Sequence, residues 1–387
     1  MSDRLCIGFF GCRNVGKSSL VNAVTNQDMS IVSDVKGTTT DSVKKSMELL
    51  PLGKVLIIDT PGFDDEGELG KKRVEATKKV LRNCDIAVLV TEADRDFNEV
   101  ENELINIFNE RKIPYIIAKN KADIIVDYKN DNNVIYTSSL NKIGIEELKE
   151  AIGKLVKNDK KEVHLVGDLI EEKDIVVLVT PIDNAAPKGR LILPQQLAIR
   201  DIIDSNAVAV VTKETELKET LDSLKQNPAL VITDSQVFKF VSKIVPEEIP
   251  LTSFSILMAR YKGFLDTAIK GARKINELND ASKVLISEGC THHRQCDDIG
   301  TVKIPKLLKK FTGKELNLSW TSGMGFPNDL KQYDLIIHCG GCMLNANEMQ
   351  YRMDLANKLN IPFTNYGIAI AYMNGILDRS IKPIRKI

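Results

Sequence analysis

The stretch Leu5-Cys-Ile-Gly-Phe-Phe10, followed without a break by Gly11-Cys12-Arg13-Asn14-Val15-Gly16-Lys17-Ser18-Ser19, decides how the first third of the chain is read. A short apolar run of strand type enters a G-x-x-x-x-G-K-S pattern, and the residues after it continue as a helix. The glycines allow a tight wrap that turns backbone N–H groups toward phosphate oxygens. Lys17 is then placed to reach the β and γ phosphates, and the Ser18 hydroxyl to hold Mg²⁺. Gly11, Asn14, Val15, Gly16, Lys17, Ser18 and Ser19 are therefore candidate nucleotide contacts.

Working outward, companions stand in the required order. Val55–Ile58 is an apolar strand that ends in Asp59-Thr-Pro-Gly62. Asp59 would hold Mg²⁺ through water, and the Gly62 N–H would sense the γ-phosphate. Between the two motifs lies Gly37-Thr38-Thr39-Thr40-Asp41, where Thr39, with Thr38 second, is the candidate Mg²⁺ ligand. Ile116–Ala118 leads into Asn120-Lys121-Ala-Asp123. The Asp123 carboxylate can accept both N–H groups on the guanine edge, which adenine does not offer. Ser138-Ser139-Leu140 follows the next strand, as a last base-contacting loop. Five motifs in this order predict a site for GTP/GDP and Mg²⁺. Phe63 follows Gly62, where Ras-like proteins carry the glutamine that orients water, so slow intrinsic hydrolysis is expected.

Composition bounds the rest. The chain has 387 residues and 43% apolar content, enough for two or three cores. Lys+Arg and Asp+Glu both number 53 and aromatics are 5%, which argues against a broad nucleic-acid surface. Met1-Ser-Asp-Arg4 has no signal-peptide pattern and no apolar run reaches the length of a spanning helix, so a cytoplasmic protein without membrane partners is expected. Seven cysteines in a reducing compartment are metal ligands or catalytic groups more often than disulfides. Cys6, Cys12 and Cys84 sit in or beside apolar runs and read as packing.

Asn158-Asp-Lys-Lys-Glu162 reads as a boundary, giving a first domain over 1–160. The next segment, 165–262, alternates β-branched strands (Ile175–Val179, Ala207–Val211, Ala229–Ile232) with helices (Pro194–Ser205, Glu216–Gln226, Gln236–Val245). It predicts a small parallel α/β sheet without nucleophile, base or metal-ligand spacing, suited to spacing or oligomerisation.

A third α/β unit is predicted over 263–387, with strands ending at Ser287, Trp320, His338 and Tyr366 and helices over Ile304–Phe311 and Ala346–Leu359. Two of its strands end in soft ligands: Cys290-Thr-His292 and, forty-five residues on, His338-Cys339-Gly340-Gly341-Cys342. In an open α/β sheet the loops beyond the strands' C-terminal ends form the binding crevice, where Cys290, Cys339 and Cys342 would meet. Alone the Cys-x-x-Cys turn fits a redox pair, half a zinc site or half an iron–sulfur site.

The motifs of the first domain resemble the translation-factor-related branch of small GTPases that includes MnmE and Era. Asn14 stands where potassium-activated members of that branch carry an asparagine, so the resemblance implies that K⁺ at Asn14 supplies positive charge during hydrolysis. With the Cys/His pattern behind it, the whole chain resembles the HydF family of FeFe-hydrogenase maturation GTPases: a Ras-like P-loop GTPase domain, a dimerisation domain and a cluster domain. The resemblance implies a 4Fe-4S cluster on Cys290, Cys339 and Cys342, with His292 or His338 as fourth ligand or hydrogen-bond donor to the cluster's ligands. Lys17, Asn14, Thr39 and Gly62 become the catalytic set. A homodimer, HydE- and HydG-type radical-SAM partners, a transient two-iron precursor and delivery to apo-FeFe hydrogenase are also implied. Cys296 is a further thiol in the same loop. Two other readings stand beside this one: a ribosome- or tRNA-associated GTPase with a structural zinc site, and a GTP-gated electron carrier.

Overall fold

The computed structural model describes residues 5–26, 43–49, 53–60, 80–81, 84–131, 133–159, 164–182, 191–289, 298–323, 325–327, 329–342 and 344–385. They form two compact units, one over Asp3–Lys161 and one over Glu162–Ile387.

The first unit is a six-stranded sheet in the order β2-β3-β1-β4-β5-β6. Its strands are β1 (Leu5–Phe10), β2 (Val43–Leu49), β3 (Gly53–Asp59), β4 (Ile86–Glu92), β5 (Tyr115–Asn120) and β6 (Val134–Tyr136). All neighbours are parallel except the β2–β3 pair. β1 and β4 are apolar on both faces because helices cover both. Ile7 and Phe9 pack with Leu20 and Leu148, from the helices Lys17–Thr25 and Ile145–Asp159. Phe10 and Leu89 pack on the other side with Leu104 and Phe108 of the helix Glu99–Glu110. This arrangement brings the ends of β1, β3 and β5 to one edge of the sheet, where the P-loop and its companions lie.

The second unit holds two four-stranded sheets, each wholly parallel. The first contains β7 (Ile175–Val179), β8 (Val208–Thr212), β9 (Leu230–Thr233) and β10 (Leu251–Ser253) in the order β10-β9-β7-β8. The second contains β11 (Lys283–Ser287), β12 (Asn317–Thr321), β13 (Leu335–His338) and β14 (Phe363–Asn365) in the order β12-β11-β13-β14. One apolar core runs through both, joining Val177 and Leu257 to Leu285, Ile336 and Phe363. Polar ties reinforce it: Asn365 Nδ2 donates to the Ser255 carbonyl at 3.1 Å, and Arg379 to the Ser242 and Val245 carbonyls at 3.0 and 2.9 Å. The three-residue strand β10 and the helix Phe254–Tyr261 are additions to the pattern read from sequence. Ser253 ends the one and caps the other, its hydroxyl accepting from the Ile256 N–H. Among the described residues no helix is long and apolar enough to cross a membrane.

Candidate functional site

At the end of β1 the chain enters the phosphate loop through two positions that exclude a side chain. Gly11 has φ 146°, and a Cβ there would lie 2.1 Å from the Val90 carbonyl; Gly16 has φ 86°, and a Cβ there would lie 2.3 Å from Asn120 Nδ2. Asn14 is also left-handed (φ 64°) and exposed. Lys17 is 7% exposed, and its ammonium donates to the carbonyls of Gly11 (3.0 Å) and Cys12. Ser18 Oγ donates to Asp59 Oδ2 at 2.6 Å, while Asp59 Oδ1 is buried with no hydrogen-bond partner among the described residues. Burial pushes the Asp59 pKa up, against the pull of Ser18 and Lys17. An orphaned carboxylate oxygen beside a serine hydroxyl at the head of a P-loop helix fits Mg²⁺, with Ser18 as direct ligand and Asp59 behind it.

The base-reading loops close against the same edge. Asn120 is 2% exposed; its Nδ2 donates to the Val15 carbonyl at 3.0 Å, and its Oδ1 accepts from the Ser139 N–H (3.2 Å) and hydroxyl (2.9 Å). Asn120 thus locks the P-loop, the Asn120–Asp123 turn and the Ser138–Ser139 turn into one piece. Ser138 Oγ donates to Asp123 Oδ1, and Lys121 Nζ pairs with Glu92. Thr38, Thr39, Asp41, Gly62 and Phe63 lie outside the described residues.

The second unit gathers the other candidates at the end of β13. His338 is completely buried, between the rings of Phe326 and Phe363. Its Nδ1 lies 2.8 Å from the Cys339 carbonyl, and its Nε2 lies 2.9 Å from Arg352 Nη1. Arginine can only donate, so Nε2 accepts and Nδ1–H donates, which fixes a neutral imidazole. Burial first, then the Arg352 and Lys262 charges, take the His338 pKa down to about 3, with the Cys339 carbonyl opposing. Both ring nitrogens are therefore engaged within the protein.

Cys339 Sγ accepts N–H groups from Gly289 at 3.0 Å and Gly341 at 3.3 Å. Burial pushes this thiol's pKa up, and those two donors pull against it. Gly341 is left-handed (φ 61°), and a Cβ there would meet Met349 Sδ at 2.6 Å; a Cβ at Gly340 would meet nothing within 4 Å. Cys342 is half-buried on the same turn. The described chain reaches Gly289, so the Cys339 sulfur is bonded to the residue before Cys290; Cys290, His292 and Cys296 lie outside the described residues. Among the described residues no three His, Cys, Asp or Glu side chains are gathered as a metal site. The donor chemistry nonetheless fits a thiolate-bound cluster: a glycine turn, two sulfurs and backbone N–H groups aimed at sulfur.

Three residues that sequence reading passed over brace this turn. Arg352 is wholly buried and joins His338 to Glu348 (Nε–Oε1 2.8 Å) and to the Gly323 carbonyl (2.7 Å). Lys262, 7% exposed, donates to the Gly341 carbonyl and to the Leu344 carbonyl at 2.9 Å. Their only sequence signal is the i, i+4 spacing of Glu348 and Arg352, which on most helices marks a solvated pair.

Fold and sites define a P-loop nucleotide-binding domain joined to a double-sheet α/β unit with a cysteine turn. Residues 6–121 match the family model described as 50S ribosome-binding GTPase, 165–263 the hydrogen maturase F dimerization domain, and 266–383 the hydrogen maturase F tetramerization domain. The last two together span more than half of the chain, which belongs to the hydrogen maturase F family and opens with a GTPase domain.

Over 185 residues the chain is 34% identical to the tRNA modification GTPase MnmE of Thermoanaerobacter sp. (strain X514), covering 46% of this chain and 38% of that protein. It is 38% identical over 121 residues to GTPase Der of Wolinella succinogenes, covering 30% of this chain and 26% of that one. The chain thus spans less than half the length of these relatives. Among solved structures it resembles Era of Aquifex aeolicus, with 19% identity, 54% of this chain and 93% of that chain covered, and a TM-score of 0.35.

Proposed function

We propose that the protein hydrolyses GTP in its first unit and carries a 4Fe-4S cluster in its second, serving as scaffold and carrier during maturation of FeFe hydrogenase. In this reading Cys290, Cys339 and Cys342 are the protein ligands, and His338 orients the Cys339 carbonyl. Three cysteines would leave one iron of such a cluster without a thiolate, and that position would be open to a two-iron precursor. HydE- and HydG-type enzymes supply that precursor, and apo-hydrogenase receives it. The observation that carries the reading is the Cys339 sulfur, held by two backbone N–H groups, one from the residue next to Cys290. The two hydrogen maturase F matches support the same assignment. Its domains run over 1–160, 165–262 and 263–387.

The test is iron content and electron-spin resonance of protein purified without oxygen. Cys339→Ser, Cys342→Ser and Cys290→Ser should each lose most of the iron, since two thiolates remain for four irons. Cys296→Ser should lose little. Stoichiometric zinc in a colourless protein would instead favour the alternative reading with a structural zinc site.

In the GTPase unit we assign the γ-phosphate to Lys17, Mg²⁺ to Ser18 and Thr39, and guanine to Asp123. K⁺ is assigned to the exposed, left-handed Asn14. Hydrolysis should therefore run several-fold faster in K⁺ than in Na⁺, and Asn14→Ala should abolish the difference; equal rates for the parent in both salts would remove K⁺ from the site.

The edge strand β8 is the proposed dimer contact. Val208 and Val211 are 49% and 45% exposed on it, and Ile203 is 53% exposed nearby in sequence. An open, apolar edge is a ready template for a second copy. Val211→Lys, present twice in a symmetric contact, should weaken the dimer by about tenfold or more. Light scattering across a dilution series checks this, and an unchanged midpoint would move the contact elsewhere.

A further inference from the structure

β4 ends on Glu92, and the loop that follows is wound around one side chain. Arg95 Nε holds Glu92 Oε2 at 3.0 Å. Its two terminal nitrogens form a fork on Glu101, Nη2 to Oε1 at 2.7 Å and Nη1 to Oε2 at 2.8 Å, and Nη1 also reaches the Asp96 carbonyl at 3.0 Å. Glu101 is completely buried, an unusual place for a carboxylate in the first turn of a surface helix. The guanidinium is the group that makes its burial tolerable.

Each end of this knot leads to the nucleotide site. On one side Glu101 and Asn98 form a reciprocal cap: Asn98 N–H donates to Glu101 Oε2 at 3.0 Å, and Glu101 N–H to Asn98 Oδ1 at 2.8 Å. Asn98 Nδ2 then donates to Cys12 Sγ, inside the phosphate loop, at 3.2 Å. On the other side Glu92 pairs through its second oxygen with Lys121. Lys121 is left-handed (φ 64°) and starts the short 3₁₀ turn Ala122–Ile124 that carries Asp123. The Ala93 N–H donates to the Asn120 carbonyl at 2.8 Å, stitching the same loop to the base-reading turn a second time.

From this geometry we infer that Arg95 is a positioning residue for guanine recognition, tying the phosphate loop to the turn that presents Asp123. Among the described residues it touches no candidate nucleotide contact directly. Its guanidinium fixes Glu92, Glu92 fixes Lys121, and Lys121 sets the approach of the Asp123 carboxylate to the base. Lysine cannot replace it, because one ammonium cannot fork onto Glu101 and hold Glu92 together. This inference rests on the reading of the unit as a guanine-nucleotide site and names what sets its base selectivity.

The experiment compares GDP with IDP, which lacks the exocyclic amino group that Asp123 would accept. Full-length parent, Arg95→Ala, Arg95→Lys and Glu92→Gln are measured for affinity, release rate and GTPase kinetics. Loss of well-placed acceptance at one N–H is worth roughly tenfold. Arg95→Ala should therefore release GDP about tenfold faster and compress the GDP:IDP affinity ratio by a similar factor. KM for GTP should rise with kcat at saturation held within about twofold. Arg95→Lys should fall short of rescue. Glu92→Gln weakens the bonds of this side chain to Lys121 and to Arg95 Nε, leaves the buried Glu101 fork intact, and should compress the ratio as well. A purely structural role would lower the melting temperature and leave the GDP:IDP ratio unmoved. An unmoved ratio in folded Arg95→Ala and Glu92→Gln overturns the assignment of Arg95 alone. Failure of the parent to bind GDP overturns the nucleotide reading and the inference with it.

Discussion

Lys17→Ala should slow GTP hydrolysis by about 10²–10³-fold, the usual cost of removing one preorganised donor from developing oxygen charge. The lysine is buried, and its ammonium donates to the Gly11 and Cys12 carbonyls of its own loop. Those carbonyls keep the cation poised, and phosphate oxygens with full negative charge should displace them. Alanine removes the cation and leaves the loop's geometry intact, because Gly11 and Gly16 keep their positive φ and Asn120 Nδ2 still holds the Val15 carbonyl. The loss should therefore be in turnover, with the fold kept. Phosphate release at saturating GTP measures it. Iron content after reconstitution should be unchanged, since Cys339 and Cys342 belong to the other unit. A rate within threefold of the parent would remove Lys17 from the phosphate site.

The nucleotide site was legible because its parts are contiguous words: a P-loop between strand and helix, and an Asn-Lys-x-Asp turn after another strand. Spacing along the chain fixes their geometry, so Asn120, Lys121 and Asp123 could be named before any fold was seen. The sheets were legible for a related reason, since buried parallel strands such as Val176–Val179 read as unbroken apolar runs rich in β-branched residues. β10 was not, because Leu251-Thr-Ser253 is too short to show a period.

Arg95, Lys262 and Arg352 were illegible for a stronger reason. Lys262 meets the Gly341 and Leu344 carbonyls, and Arg352 meets His338 and the Gly323 carbonyl, only through tertiary structure. Arg95 has its partners within six residues, but nothing in their spacing shows that the fold buries Glu101. Lys262 sits just past the helix Phe254–Tyr261, where a cation ordinarily answers the helix dipole, yet the fold turns it onto the Gly341 carbonyl. His338 was legible as a polar residue at a strand end, but its bond to Arg352 depends on a helix residue 14 positions downstream, while its other bond goes to the neighbouring Cys339 carbonyl.

Arg352→Ala should destabilise the second unit by about 3–5 kcal/mol, the range for breaking a buried ion pair from one side. Both partners are dry: the Arg352 and Glu348 side chains are 0% and 1% exposed. Glu348 Oε2 already has no partner among the described residues, so the arginine is what keeps that carboxylate tolerable. Removing it strands a charge, frees His338 Nε2 and the Gly323 carbonyl, and takes the cation from the face of Phe326, 5.0 Å away. Arg352→Met with Glu348→Gln removes both charges and keeps much of the volume, so it should recover a large part of the loss. The chain carries a single tryptophan, Trp320 in β12, so fluorescence-monitored denaturation reports this unit without interference from the other. Because unfolding of two units need not be two-state, the Trp320 transition alone is the quantity to compare. Should Arg352→Ala shift that transition by less than about 1 kcal/mol, or the double variant fare worse than the single one, the buried pair is not what holds the floor beneath the cysteine turn.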